Sequence, residues 1–221
     1  MARPKVPLIS RRSALAAALK VIDADGLEAL SIRRLGDELG VNGASLYHHF
    51  HNKDDILVGV AQLALADVRA PEDAKDWREW LPANARRLRD ALLAHPNLIP
   101  VLLRREGMGI GRAQLEASAV LLEEQGVPRH LVLTLIETLE VFAIASALHE
   151  INDTSTRTVE AIEAGEVDEE AHPTLLRLYR GRSPMSDKVF VAVSQAIIRT
   201  LEETVPRRRP SRPTQRTAAA G

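Results

Sequence analysis

The chain has 221 residues, 45% of them hydrophobic, enough for a sizeable core in one or two domains. Charged residues make up 27%, yet the formal net charge is only -1, so any basic surface must be local. Cysteine is absent, which excludes disulfides, thiolate metal sites and a cysteine nucleophile.

No signal peptide is evident, because the first apolar run, Leu15 to Ile22, is interrupted by Lys20. No stretch supplies the roughly 18 uncharged apolar residues of a membrane span. The longest candidate, Leu131 to Leu148, contains Glu137 and Glu140. A soluble, cytoplasmic protein with no membrane partner is expected. Apolar residues recur at helical spacing nearly everywhere and no alternating strand pattern stands out, which predicts an all-α fold.

In chain order, Arg3, Lys5, Arg11 and Arg12 form a basic N-terminal arm with Pro4 and Pro7. A first helix starts near Ser10 and presents Leu15, Leu19 and Ile22 on one face. It stops at Asp25-Gly26, where glycine supplies the left-handed turn. Ser31 is a good N-cap for a second helix with Ile32, Leu35 and Leu39 inward. Gly40 breaks that helix, Val41 plugs the turn, and Asn42 caps a third helix whose inward residues are Leu46 and Phe50. Gly43, Ala44, Ser45, Tyr47, His48, His49 and His51 are left on or near its outer faces. Asn52 caps a fourth helix, with Asp54 and Asp55 suited to the helix dipole, and Ile56, Leu57, Val60, Leu63 and Ala64 continue it until Pro71.

The polar segment Ala70 to Asp76 marks a domain junction. Asp76 and Glu79 then open a long helix carrying Trp77, Trp80, Leu81, Leu88 and Leu92, which ends at His95-Pro96. A shorter helix runs from Asn97 to about Arg105. The glycine-rich connector Gly107 to Gly111 leads to a helix ending at Gly126, and Pro128 opens a long apolar helix to about Ile151. After a break at Asn152 to Ser155, the acidic run Glu160, Glu163, Glu166, Asp168, Glu169 and Glu170 reads as a solvated helix or a mobile loop. Pro173 to Tyr179 forms a short helix. Ser186 caps the last one, which carries Val189, Phe190, Val193, Ile197 and Leu201. The tail after Pro206 has five arginines and no acid and is expected to be disordered. The expected units are residues 1–55, residues 56–206 and a basic tail, 207–221.

Tyrosine and histidine tips on the outside of a short helix make poor core and good hydrogen-bonding surface, of the kind the DNA major groove admits. The basic arm adds counterion-releasing charge beside it. The plain alternative is a solvated face with an incidental histidine cluster. His48 and His51 sit three apart and are able to share a metal, but no cysteine or well-placed carboxylate completes a site. Glu169 and His172 make half of a helical di-iron motif with no second copy, and Pro173 follows at once. Helices rather than a strand precede the glycine-rich connector, which argues against a phosphate cradle. No metal or cofactor is expected.

The stretch from Leu30 to Leu57 resembles the DNA-binding domain of the TetR family of transcriptional regulators. The resemblance is carried by the Asp25-Gly26 stop and Leu35, by Leu39-Gly40-Val41, by Leu46-Tyr47-His48-His49-Phe50 and by Asn52-Lys53-Asp54. It implies that Ser31 and Arg33 touch phosphate or the groove edge, and that Asn42, Gly43, Ala44 and Ser45 enter the major groove. It also implies that Tyr47, His48 and His49 contact phosphate or base edges and that Lys53 clamps the backbone, with Arg12 of the arm joining the contacts. Two departures stand out. Gly36 replaces a more usual alanine, softening the second helix by up to ~1 kcal/mol. Gly43 replaces a longer side chain, which shifts specificity toward Ser45, His48 and DNA shape.

The apolar helices Leu131 to Leu148 and Val189 to Leu201 carry more hydrophobic surface than one helix face buries. In the family the corresponding late helices form a four-helix interface, so the resemblance implies a homodimer reading a palindromic operator with half-sites roughly 34–36 Å apart. A small-molecule effector is implied in the C-terminal domain. The candidate cavity residues are Trp80, Asn84, Met108, Glu137, Phe142 and His149, with Glu140 beside them. A carboxylate on an otherwise apolar helix must be exposed, paired or used on a ligand. The leading expectation is a ligand-released repressor. A constitutive DNA-binding protein without an effector and a helical-bundle enzyme are the alternatives.

Overall fold

The computed structural model describes residues 9–71, 73–103, 111–152, 160–161, 164, 171 and 173–204. Arg3, Lys5, Met108, most of the acidic run, His172 and the arginine-rich tail lie outside the described residues, which are helical with connecting turns and contain no strand.

Helix α1 (Arg11–Asp25) opens with a reciprocal cap. Ser10 Oγ accepts from the Ser13 backbone N–H at 3.0 Å and Ser13 Oγ accepts from the Ser10 N–H at 3.1 Å. The helix buries Ala14, Ala18, Val21 and Ile22, while Leu15 and Leu19, expected at the centre of its inner face, lie half-buried to the side. Small residues at that centre let α4 (Lys53–Ala64) approach closely. The contact is tightest at Gly59, where a Cβ would stand 2.6 Å from Leu15 Cδ2. Helices α2 (Ile32–Leu39) and α3 (Gly43–Leu46) complete this head, around Leu35, Leu46, Phe50, Ile56 and Val60, all fully buried. Helix α4 ends at Ala64, short of Pro71, with Leu65 N–H closing on Ala61. Continuing it would place the Asp67 carboxylate at the negative end of the helix dipole.

The rest of the chain is a larger helical layer. Helix α5 (Trp77–Ala94) starts at Asp76, whose carboxylate accepts from the Arg78 N–H at 2.9 Å. It tolerates a buried Pro82, which removes one helical donor. A single 3-10 turn (Pro96–Leu98) leads into α6 (Ile99–Leu103), so the expected helix from Asn97 begins two residues late. Helices α7 (Arg112–Glu124), α8 (Arg129–Ile151), α9 (Pro173–Arg180) and α10 (Asp187–Thr204) follow. Helix α8 packs on α5, α7 and α10 through Leu135, Leu139, Ala143 and Ala147, all almost fully buried. With a mean hydropathy of 2.0 over 18 of its 23 residues it is long and apolar enough to cross a membrane. Its charges did not disqualify it, but here it serves as the central core helix. Its remaining face leaves Leu133 and Val141 in solvent, as α10 leaves Val189 and Val193.

Polar ties act both within the larger layer and between the layers. Inside the larger one, Arg89 is 3% exposed and bridges three helices. Its guanidinium donates to Ser146 Oγ at 2.9 Å, to the Glu150 carboxylate and to the Met185 carbonyl at 3.4 Å, and it lies over the Phe190 ring. Between head and body, Asn97 Nδ2 donates to the Ile22 carbonyl at 2.9 Å, and the His95 ring meets the Asp23 carboxylate at 2.9 Å.

Candidate nucleic-acid interface and cavity

The turn between α2 and α3 is built from caps. Ser31 Oγ accepts from the Arg34 N–H at 3.1 Å, which leaves its own O–H to donate outward. Gly40 takes the left-handed conformation, φ 65°, that ends α2. Asn42 Oδ1 accepts from the Ala44 N–H at 3.0 Å, and Ser45 Oγ donates to the Asn42 carbonyl. The groups still available on α3 are therefore the Asn42 amide N–H, the Ser45 lone pairs and the side chains that follow. Tyr47 is exposed, as is His48; His49 is half-buried, edge-on to Phe50. Helix α3 is only four residues long, and residues 47–49 form a turn before Phe50 anchors the chain in the core.

The two glycine departures have a common cause in packing. A Cβ on Gly36 would lie 3.0 Å from the Val41 carbonyl oxygen and 3.2 Å from the Gly43 nitrogen, and one on Gly43 would meet Ile32 Cγ2 at 3.3 Å. A side chain at either position therefore requires the turn backbone or Ile32 to give by a few tenths of an ångström. Both glycines thus serve the packing of α2 on α3.

Around this turn Arg12, Arg33 and Lys53 have no ion-pair partner among the described residues, so their charge is available to phosphate. Arg34 differs, being paired with Glu38 at 2.8 Å and Asp25 at 3.1 Å. Arg11, expected as part of the basic arm, is a structural clamp. It donates to Asp55 Oδ1 at 2.7 Å and to the His49 carbonyl, and its guanidinium lies 4.7 Å from the Phe50 centroid. The Arg11 hydrogen bond, helped by the His51 N–H, holds the Asp55 carboxyl below its ordinary pKa. Nothing local in the sequence marks a pairing 44 positions apart. Among the described residues no three metal-ligating side chains converge.

The second feature is a cavity of about 290 Å³. The end of α4 and the residues after it (Gln62, Leu65, Val68) form one wall, and α5 (Leu81, Asn84, Ala85, Leu88) forms another. Helix α7, from Gly111 to Ser118, and Ile136, Leu139 and Glu140 of α8 close it. Of the expected cavity residues, Asn84 and Glu140 lie here; the Asn84 Oδ1 is buried without a hydrogen-bond partner among the described residues. Four others lie elsewhere. Trp80 is buried but turns its Nε1–H to Gln125, which is itself tied to the Ala74 carbonyl. Phe142 stacks on Phe190 at 4.8 Å, Glu137 faces solvent, and His149 is exposed beside Arg182. Met108 falls outside the described residues. Gln62, Arg112 and Gln114 were missed, since polar residues at helix ends carry no sequence signal of a cavity.

Known proteins resemble both parts of the chain. The family described as "Bacterial regulatory proteins, tetR family" matches residues 14–60, and the "Tetracyclin repressor-like, C-terminal domain" matches residues 70–205. A transcriptional regulator of Saccharopolyspora erythraea is 37% identical over 91 residues, 41% of this chain and 39% of that one. The class A tetracycline repressor of Escherichia coli is 31% identical over 140 residues, 61% of this chain and 63% of its own length. The chain therefore spans less than two thirds of either relative. Among solved structures, ActR of Streptomyces coelicolor in complex with actinorhodin superposes with a TM-score of 0.67 at 30% identity, covering 89% of this chain and 96% of that one. The chain belongs to the TetR family of bacterial regulatory proteins.

Proposed function

We propose that the chain is a cytoplasmic, homodimeric transcriptional repressor that holds a palindromic operator through α3 and releases it when a small molecule fills the cavity. The observation that carries this reading is α4. Lys53, at its first position, stands beside the turn that follows α3, and Gln62, in its last turn, lines the cavity. A helix of 12 residues is a rod of about 18 Å, so a displacement at one end is delivered at the other. The ligand shifts the balance only by its differential affinity for the two arrangements of α4. The tetracycline repressors and the actinorhodin complex of ActR support extending effector control to this chain.

Dimerisation rests on the apolar residues that α8 and α10 leave in solvent. One four-residue helix reads too few base pairs; two on a two-fold axis read paired half-sites. On DNA, Ser31, Arg33 and Lys53 meet phosphate, with Arg12 adding charge. Asn42, Gly43, Ala44 and Ser45 face the groove, and Tyr47, His48 and His49 flank it.

The test is selection of bound DNA from a random pool, followed by gel shifts on the selected site across salt concentrations. Arg33→Ala and Lys53→Ala should each lower the salt slope by about 1 without changing the preferred sequence. Binding indifferent to sequence or to salt would overturn the reading.

A further inference from the structure

The recognition turn is held by one ion pair whose members both lie outside it. Helix α3 has four residues, too few to keep an orientation by its own hydrogen bonds, and residues 47–49 continue it only as a turn. The chain then passes through Phe50, which is fully buried. On either side of Phe50 one backbone polar group meets the same pair. The His49 carbonyl accepts from Arg11 Nη1, and the His51 N–H donates to Asp55 Oδ2 at 3.2 Å. Arg11 Nη2 donates to Asp55 Oδ1 at 2.7 Å, and the guanidinium lies 4.7 Å from the Phe50 centroid. Asp55 is itself placed by Asn52, whose Oδ1 accepts from the Asp55 N–H at 2.8 Å. Arg11 belongs to α1 and Asp55 to α4, so the pair pins the exit of the recognition turn between two helices of the head.

Resting on the reading that residues 42–49 meet the operator, we propose that Arg11 and Asp55 are positioning residues for operator recognition: they aim the recognition turn and do not touch DNA. The planar arginine fork suits this task, because two of its nitrogens reach acceptors on different segments at once. The cation is occupied by Asp55 and the His49 carbonyl, in contrast to Arg12, Arg33 and Lys53. The sign of the expected effect is opposite to that of plain electrostatics. An acid beside a DNA-binding turn repels phosphate, so neutralising it should tighten binding to any duplex. Because Asp55 aims the turn, neutralising it weakens binding to the operator alone.

The test compares the operator selected from the random pool with an unrelated duplex of equal length, by fluorescence anisotropy on the full chain. The readout is the ratio of the two affinities, which an unfolded fraction leaves unmoved because it lowers both alike. Asp55→Asn and Arg11→Gln should each reduce that ratio roughly tenfold, and the double variant should fall no further than either single one. Asp54→Asn, which removes the same charge from the same first turn of α4, should tighten both duplexes and keep the ratio. The salt slope of Arg11→Gln should match that of the wild type, whereas Arg33→Ala loses about 1. If Arg11→Gln fails to fold, Arg11→Lys keeps the charge but not the fork and should lower the ratio about threefold. The proposal is overturned, with the DNA-binding reading intact, by an unchanged or raised ratio in Asp55→Asn, by an equal fall in Asp54→Asn, or by a slope in Arg11→Gln reduced by about 1. A wild-type chain that prefers no sequence overturns both.

Discussion

Arg89 and Glu150 are joined by one ion pair, yet removing either partner should have unequal consequences. Arg89 is 3% exposed, whereas the Glu150 side chain is 30% exposed. Glu150→Ala leaves a cation sealed among Ser146, Met185 and Phe190 with only neutral partners. Breaking a buried pair from that side costs about 3 kcal/mol or more. Arg89→Met keeps most of the apolar stem, and the carboxylate it strands is close enough to water to turn outward; about 1–2 kcal/mol is expected. For a chain of this size ~1 kcal/mol moves Tm by about 2–4 °C, so the two variants should melt several degrees apart. In the double variant the second substitution should add little, giving a coupling energy of roughly 2 kcal/mol. The assay is urea and thermal unfolding at one fixed protein concentration. The reasoning is refuted if Arg89→Met is the costlier change, or if the coupling is below about 0.5 kcal/mol.

Gly59→Ala meets only the flexible end of Leu15, so rotation of that side chain together with a gain of up to ~1 kcal/mol in helix propensity should hold the net change in stability within about 1 kcal/mol; a loss of about 3 kcal/mol in urea unfolding would show that Leu15 cannot give way. Gly36→Ala gains up to ~1 kcal/mol in helix propensity, but its methyl meets turn backbone. It should therefore weaken operator binding in gel shifts, and wild-type affinity would contradict the packing argument. Asp55→Asn should lower Tm at neutral pH. Because the folded Asp55 carboxyl titrates below its unfolded value, its contribution is complete above the unfolded pKa, about 3.9, and is lost as pH falls through the folded one. The Tm gap between wild type and Asp55→Asn should close on acidification below that range, and a gap that widens instead would reverse the assigned sign.

Much of the fold was legible because helix boundaries are written locally. Ser31, Asn42, Asn52 and Asp76 each cap the helix that follows, as their residue types predict. Pro128 and Ile151 bound α8 as the apolar run implies. Legibility falls where the deciding contact is distant. Arg11 looks like any other arm cation until Asp55 and Phe50 are brought to it. Trp80 attracts notice as a large aromatic, but its partner is Gln125 across the domain. The cavity was the least legible part. Its walls come from four helices, and its most telling group, the Asn84 oxygen, is conspicuous only for lacking a partner. Glu137 and Glu140 lie on one helix and differ by three positions, enough to send one to solvent and the other to the cavity.

The hydrogen bond from Asn97 to the Ile22 carbonyl bears on how freely such proteins exchange parts. The acceptor belongs to the last turn of α1, where it already accepts from the capping Gly26 N–H at 2.9 Å, and the second donor sits beyond α5. The end of the first helix is thus tied to the body by a side chain encoded some 75 positions later. A chimera that joins this head to a foreign body at the α4–α5 junction would lose the polar ties from α1 to the body unless the turn carrying His95 and Asn97 travels with it. Heads and bodies of this kind are interchangeable only as matched sets, and the seam for grafting runs through space rather than along the chain.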